Sequence, residues 1–548
     1  VERETERTLP PALGGAWPLL GHLRGFRRAP IELMRRVHEQ CGELGEFRLG
    51  GQHIALLCGE EAHEAFFRAP DEQLDQAEAY PFMKPVFGAG VVFDAENPEQ
   101  RRQAMKNQAL RDQQMRGHAE VIAAETEKIC DGLGAEGEID LLAFFSELTI
   151  YTSSACLIGK EFRDEITADF ASLFHELERG TDTLAYISPH LPIAAFRRRD
   201  AARKELVRRI EAIIESRRRE GRRPKDLVFA LTRVADDQGR PRYTADQITG
   251  MFISLMFAGH HTTSGTAAWT LIELLRHPEI LSDTVSELDR IFRDGATVSY
   301  HALREIPVLE GAITEALRLH PPLVLLMRRV REEFHFRDFR VPVGWNVAVS
   351  PAVSNRLAAY FPDPERFDIT RYTGAEGQHR RVFAYLSFGA GRHRCVGAAF
   401  AQMQLKAIFS VLLRRYEFEL AQPSATYRND ESRMVVQLEQ PCRVRYRRRL
   451  ASSPSAALPA PTVGAAVPGA GLRIRVDADL CQGHGVCASE CPELFSVDPN
   501  EVKVVLARED VPPELREKAE RAVRFCPTRA LSLIKDDGPV GGGNGEAP

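Results

Sequence analysis

The sequence predicts a mainly α-helical body with a minor β component, followed by a small α+β module. Three observations carry that prediction. Apolar residues recur at helical spacing through most of the first 450 residues. A charge-free stretch rich in Ala, Pro, Ser and Gly then runs from Ala451 to Ala470. Beyond it, cysteines cluster in a segment of about 70 residues bounded by short strand-like runs. The whole chain has 548 residues, 44% hydrophobic and 27% charged, with a mean hydropathy of −0.27. That is globular composition, neither disordered nor polytopic.

In the body, helical periods fall near residues 30–40, 99–132, 203–217, 246–276 and 309–319, and strands near Val341–Val343 and Val347–Val349. Residues 1–450 are therefore one large domain, 451–470 a linker, 471–538 a small domain and 539–548 a glycine-rich tail. A flexible twenty-residue linker has an end-to-end distance of roughly 25 Å and reaches about 66 Å at full extension. In the small domain a helix is expected from Pro513 to Arg524, with strands over Leu472–Val476, Val502–Leu506 and Leu531–Ile534 as a βαβ pair.

Charge excludes some functions. The net charge of −5 argues against nucleic acid as a partner. Residues 471–548 hold ten Lys/Arg and fourteen Asp/Glu, a net of −4, which leaves the other 470 residues at −1. Ten cysteines are too few for a disulfide scaffold in a chain this long, so special cysteines are expected to be ligands. The apolar run near Met251 to Ala258 falls far short of the roughly 20 residues that span a bilayer, and Val1–Glu4 has no signal-peptide core. No membrane span and a cytoplasmic location are expected.

The most informative segment of the body is Phe388-Gly389-Ala390-Gly391-Arg392-His393-Arg394-Cys395-Val396-Gly397. Glycines allow a tight turn and close approach to a flat cofactor. A helix opening near Val396, with Arg392 and Arg394, would favour a Cys395 thiolate that could ligate haem iron; the plain alternative is a small buried cysteine beside a turn. This segment resembles the haem-binding signature of the cytochromes P-450. Glu315-Ala316-Leu317-Arg318 and Pro364-Glu365-Arg366-Phe367 match further family motifs in the right order. The resemblance implies the P-450 fold over residues 1–450, heme b on Cys395, and a structural Glu315–Arg318–Arg366 cluster.

Phe257-Ala258-Gly259-His260-His261-Thr262-Thr263-Ser264 lies within a predicted helix, where hydroxyls compete for backbone carbonyls. Adjacent histidines ordinarily read as one core and one surface residue. Imidazole can also relay a proton near neutrality. His261-Thr262 in place of the family's acid–Thr pair resembles the sterol 14α-demethylases, as does the aromatic, glycine-punctuated run from Tyr80 to Asp94. The resemblance implies His261 and Thr262 as catalytic residues. It places Tyr80, Lys106, Arg328 and His393 at the haem, and Phe82, Met83, Phe87, Phe257, Ala258, Leu325, Met327 and Met434 around the sterol. The implied reaction is a three-step, O2-dependent removal of a ring-junction methyl group as formate. Reaching a sterol would bring the protein at most peripherally to membranes. A monooxygenase of another terpenoid or steroid, or a haem/iron–sulfur redox sensor, are the alternatives.

In the small domain Cys481, Cys487 and Cys491-Pro492 fit three positions of the run C-x2-C-x2-C-x3-C-P, with His484 at the second. Cys526-Pro527 matches the remote ligand of ferredoxins. The resemblance implies a single-cluster ferredoxin with Cys481, Cys487 and Cys526 as ligands. A [3Fe-4S] cluster is favoured, and a [4Fe-4S] cluster completed by His484 is the alternative. Cys491 is expected to be a spare thiol. The chain shows no dinucleotide fingerprint, so a separate NAD(P)H-dependent reductase is expected to load the cluster. Asp477, Asp479, Glu490 and Glu493 are expected to dock the module on a basic patch.

Overall fold

The computed structural model describes residues 7–94, 112–165, 168–180, 185, 188–224, 226–235, 238–293, 296–372, 377–378, 381–431, 435–449, 472–498 and 502–535. The chain divides into a larger compact unit, which takes in nearly all residues before 452, and a smaller unit after it. The expected linker and tail lie outside the described residues.

The larger unit is built around the helix Ala245–Arg276, called here the long helix. It starts at a reciprocal cap: Thr244 Oγ1 accepts from Gln247 N–H at 3.2 Å and Gln247 Oε1 accepts from Thr244 N–H at 3.0 Å. Most of its side chains are buried on all sides, as befits a helix packed against Leu141–Ser153, Ala194–Arg219 and Pro307–Leu319. The expected helix over 203–217 begins earlier, at Ala194, because the arginine run that hides its periodicity is partly internal. Arg199 is fully buried, lies 4.7 Å from the Phe196 ring and donates to Pro189 O at 2.9 Å. Of the helix expected over 99–132, Asp112–Asp131 is described.

A five-stranded sheet lies to one side in the order Leu44–Leu49, Gln52–Leu57, Asn346–Val349, Leu326–Val330, Leu74–Asp75. The expected strands at 341–349 appear as Phe339–Val341 and Asn346–Val349, either side of a turn at Gly344. The first is a hairpin arm with Phe334–Phe336, and only the second joins the large sheet.

One helical window, Leu141–Ile158, is apolar and long enough to cross a membrane, yet 72% of it is buried inside the unit. It is a core helix. Asp140 caps it by accepting from Ala143 N–H at 3.0 Å, and it ends in a π-turn at Ser154–Ile158.

The Glu315–Arg318 pair forms in the core, as the resemblance implies. Arg318 donates to both Glu315 oxygens at 2.7 and 2.8 Å, and both side chains are fully buried. The expected third member is corrected. Arg371 Nε, not Arg366, donates to Glu315 Oε1 at 3.2 Å, while exposed Arg366 contributes only its carbonyl, which accepts from Arg318 at 3.1 Å. The chain turns between 364 and 372, so the residue closest in motif is not the residue whose side chain points inward.

In the smaller unit, Leu472–Val476 pairs antiparallel with Leu531–Lys535 and with Asp510–Val511. Phe495–Val497 pairs antiparallel with Val504–Leu506, two residues shorter than expected. The expected strands and helix are present, and the strands form antiparallel ladders, with both helices in the chain between Leu472–Val476 and Leu531–Lys535. The helices Val486–Glu490 and Arg516–Arg524 cover a core of Ile474, Leu494, Phe495, Ala519, Ala522 and Leu531.

Candidate active site and iron–sulfur site

The cysteine loop is closed by Cys395 N–H donating to Phe388 O at 2.9 Å. Gly389 and Gly391 both take left-handed φ, 64° and 61°. A side chain at Gly391 would collide with Phe67 O at 2.5 Å, so only glycine lets the loop lie on the backbone of Glu60–Arg68. The following helix, Ala398–Arg415, opens two residues later than expected, with Gly397 as its cap. Cys395 keeps exposed surface although its surroundings desolvate it, the mark of a side chain on an internal space. Burial pushes the thiol up; the Gly397 N–H and the Arg394 charge oppose it without prevailing.

Beside the loop, Arg328 is buried, and burial pulls its guanidinium down to about 10. It donates through Nη1 to Phe66 O at 2.7 Å, while Nη2 meets no hydrogen-bond partner among the described residues. A buried cation with an unused donor fits an anionic group such as a haem propionate. His393 instead contacts Asp71 at 2.5 Å. Burial would raise Asp71, but the His393 hydrogen bond and the charges of His393, Arg328 and Arg392 outweigh it and hold the carboxyl low. Tyr80 Oη accepts from Met327 N–H at 2.9 Å, and burial pushes its hydroxyl up to about 12. Lys106 lies outside the described residues.

On the long helix, Thr262 Oγ1 donates to Ala258 O at 2.6 Å, the competition for the backbone ladder that its sequence implies. The helix nevertheless runs unbroken through this segment. Ala258 is exposed and Gly259 and Thr262 are half-buried within an otherwise buried stretch, so one face of the helix borders open space inside the fold. His260 and His261 are both buried, against the ordinary expectation of one core and one surface residue. Their ring centroids lie 3.9 Å apart. His260 meets Ser146 Oγ at 3.1 Å and Thr149 Oγ1 at 2.9 Å, and His261 Nδ1 lies 3.3 Å from Gln437 Nε2. Sequence reasoning missed Ser146, Thr149 and Gln437. The i, i+3 pair of hydroxyls on the apolar Leu141–Ser153 helix was the available signal.

Phe82, Met83, Phe87, Phe257, Leu325 and Met327 are all buried in a single apolar cluster. Phe87 and Phe257 meet edge to face at 5.9 Å, and Tyr80 and Phe82 lie tilted to each other at 5.6 Å. The long helix meets this loop at backbone distance: a side chain at Gly250 would overlap Phe87 O at 2.1 Å. Met434 lies outside the described residues.

In the smaller unit, Cys481, Cys487, Cys526 and His484 line one small cleft that opens to solvent. Burial, reinforced by Cys526 and Cys481, pushes the Cys487 thiol up to about 12, so the three sulfurs sense one another. Among the described residues no three ligating groups converge on a point fit for a single ion. Thiols ringing a cleft instead suit a polynuclear cluster. Cys491 is fully buried in the apolar core and does not line the cleft.

Residues 10–446 match the family model described as Cytochrome P450, and residues 474–533 match one described as a 4Fe-4S single cluster domain. The chain belongs to the cytochrome P450 family, with a heme-dependent larger domain and an iron–sulfur domain on the same polypeptide. Its relatives narrow this further. The sterol 14α-demethylase of Mycolicibacterium vanbaalenii is 54% identical over 444 residues, 80% of this chain and 98% of the relative. That of Mycobacterium tuberculosis is 55% identical over 443 residues, with the same coverage. The sterol 14-demethylase of Arabidopsis thaliana is 37% identical over 453 residues, 81% of this chain and 92% of the relative. Within the P450s, the chain is a member of the sterol 14α-demethylase family. The retinoic acid bound cyanobacterial CYP120A1 shares the fold, with a TM-score of 0.71 at 20% identity over 81% of this chain and 100% of that one.

Proposed function

We propose that the protein removes the 14α-methyl group of a sterol, drawing electrons through its own iron–sulfur domain. The observation that carries the reading is the conjunction, in one unit, of the buried His261 beside Thr262 with the aromatic wall from Phe82 to Phe87. The balanced chemistry is three successive steps, each consuming O2, two electrons and two protons: methyl to alcohol, alcohol to aldehyde, then aldehyde to formate plus a ring double bond. Heme b, when bound, supplies the oxygen chemistry.

This chain's own residues do the rest. Cys395 would ligate the iron, and Arg328 and His393 would hold propionates, the His393 ring being oriented by its contact with Asp71. Tyr80 would join them through a hydroxyl already oriented by Met327 N–H, and Lys106 is assigned to the same group. Phe82, Met83, Phe87, Phe257, Ala258, Leu325, Met327 and Met434 would enclose the sterol rings and exclude water. His261 would pass protons to the Thr262 hydroxyl.

Residues 1–450 would form the P450 domain, 451–470 the linker, 471–538 the ferredoxin domain and 539–548 a tail. We assign Cys481, Cys487 and Cys526 as cluster ligands. A [3Fe-4S] cluster is favoured because imidazole seldom replaces thiolate, while a [4Fe-4S] cluster would recruit His484. A separate NAD(P)H-dependent reductase would load the cluster, and the enzyme would work in the cytoplasm. The test is turnover of 14α-methyl sterols with a generic ferredoxin reductase, comparing the intact chain with Cys487→Ala. Demethylated sterol and formate from the intact chain alone are expected; no product from any 14α-methyl sterol overturns the assignment.

A further inference from the structure

The larger unit carries an apolar wedge that its core does not use. Trp17 and Gly21 close a tight turn by exchanging two backbone hydrogen bonds of 2.9 Å. The turn presents Trp17, Leu19 and Leu20 at 58, 94 and 49% exposure. Leu19 holds a left-handed φ of 63°, which a branched side chain disfavours, so the turn is kept against local preference. It is also braced. Leu20 O accepts from Gly50 N–H at 3.0 Å, His22 N–H donates to Arg48 O at 2.6 Å, and Gly21 sits too close to Arg48 O for any side chain.

The next helix, Leu23–Arg28, exposes Arg24, Arg27 and Arg28. None of the three has an ion-pair partner among the described residues, and Arg24 lies 5.8 Å from the Trp17 ring. Contiguous exposed apolar side chains mark an interaction surface. A leucine 94% exposed projects outward rather than lining a groove, which suits insertion into a fluid phase. Tryptophan and leucine flanked by arginine is the chemistry of a bilayer interface: apolar groups enter the headgroup–acyl boundary and cations pair with phosphates.

We infer that this turn and helix dock the enzyme on bilayers bearing anionic headgroups. The docking deepens the sterol reading and draws its purpose from it, since an apolar sterol resides in membranes. Placement supports this. The hairpin turn braced by Leu20 leads directly into Gln52, which with Pro81 and Phe82 lines a cleft of about 330 Å3. Docking would thus hold the bilayer one hairpin away from Phe82, a residue of the apolar wall.

The test is co-sedimentation of the full-length holoenzyme with vesicles of phosphatidylglycerol and phosphatidylcholine, or of phosphatidylcholine alone, at low and high salt. Binding to the anionic vesicles, weakened by salt, is expected, with a blue shift of fluorescence that Trp17→Phe removes. Leu19→Asp should weaken binding about tenfold or more, and Arg27→Glu and Arg28→Glu about fivefold each. Leu19→Asp should slow turnover of vesicle-borne sterol but leave turnover of cyclodextrin-delivered sterol unchanged. Failure to bind anionic vesicles at low salt overturns the inference, as does binding indifferent to Leu19→Asp. So does a dimer of the chain that Leu19→Asp dissolves, since the wedge would then be a self-interface. Intact vesicle binding with no sterol turnover from either source would overturn the proposed activity and uphold the docking.

Discussion

Arg371 donates to Glu315 Oε1 at 3.2 Å, and Glu315 is thereby held between two arginines, with Arg318 on its other side. The carboxylate also accepts from Asp368 N–H at 2.9 Å and from the Tyr372 hydroxyl. A fully buried carboxylate is tolerable only with its acceptor sites filled this way. Removing one partner leaves an uncompensated charge, which costs about 3–5 kcal/mol. Arg371→Ala should therefore destabilise the larger domain on that scale in urea titrations, while Arg366→Ala, at an exposed side chain, should change stability by less than about 0.5 kcal/mol.

The paired histidines divide by role. His260 is bonded to Ser146 and Thr149; Thr149 Oγ1 also donates to Phe145 O at 2.8 Å, so His260→Leu strands the buried Ser146 hydroxyl and should cost about 1–3 kcal/mol in stability. His261→Ala should lower turnover by about 10²–10⁴-fold, the usual range for a lost proton-transfer group. Its stability change should be smaller than that of His260→Leu. Turnover and urea denaturation measured on both variants check the division.

Cys487 and Cys491 sit four residues apart and should behave oppositely. Cys487→Ala should abolish the visible absorption of the cluster and lower the iron content. Cys491→Ala removes a sulfur packed in the apolar core, so the cluster should survive and stability fall by about 1–2 kcal/mol. Iron analysis and thermal melts separate the two.

Acid should unfold the larger domain partly through His63. Its ring contacts Phe383 O at 2.7 Å and Ser354 Oγ at 2.9 Å, and burial pulls it down to about 4. Between pH 6.5 and 4 the unfolded chain binds a proton that the folded one does not. The contribution is thus complete above pH 6.5 and lost as pH falls toward 4, about 3 kcal/mol in all. His63→Gln should flatten the pH dependence of the urea midpoint in that window.

Within the small domain Glu490 pairs with Arg521 at 3.1 Å and Glu493 with Lys518. Neutralising Asp477, Asp479, Glu490 and Glu493 together should slow intramolecular reduction and weaken its salt dependence. Stopped-flow reduction at two ionic strengths reads the change.

What the sequence made legible follows from how local each signal is. The turn at Cys395 and the nearness of Cys481 to Cys487 could be read because glycine-punctuated loops and short spacings are local features, whereas Cys526 joins their cleft from 39 residues further along the chain. The long helix was legible to within a residue because its apolar run ends in recognisable caps. Arg371 was not, since which arginine reaches Glu315 depends on the tertiary path of the loop from 364 to 372. Nor was the antiparallel pairing in the small domain, because strand direction is set by connections that periodicity does not report. The burial of both His260 and His261 depends on a neighbouring helix supplying hydroxyls, a partnership that spans more than 100 residues of sequence.

The contact at Gly250 carries a final consequence. With no room for even a methyl group between the long helix and Phe87 O, the wall proposed to face the sterol rings and the helix bearing Thr262 share a backbone contact. If those proposed roles hold, a wider wall for a bulkier ring system would have to displace the helix that carries the Thr262 hydroxyl. Ring-size preference and coupling of oxygen use to product should therefore drift together under mutation, so an engineered broadening of substrate range would show first as wasted reducing equivalents.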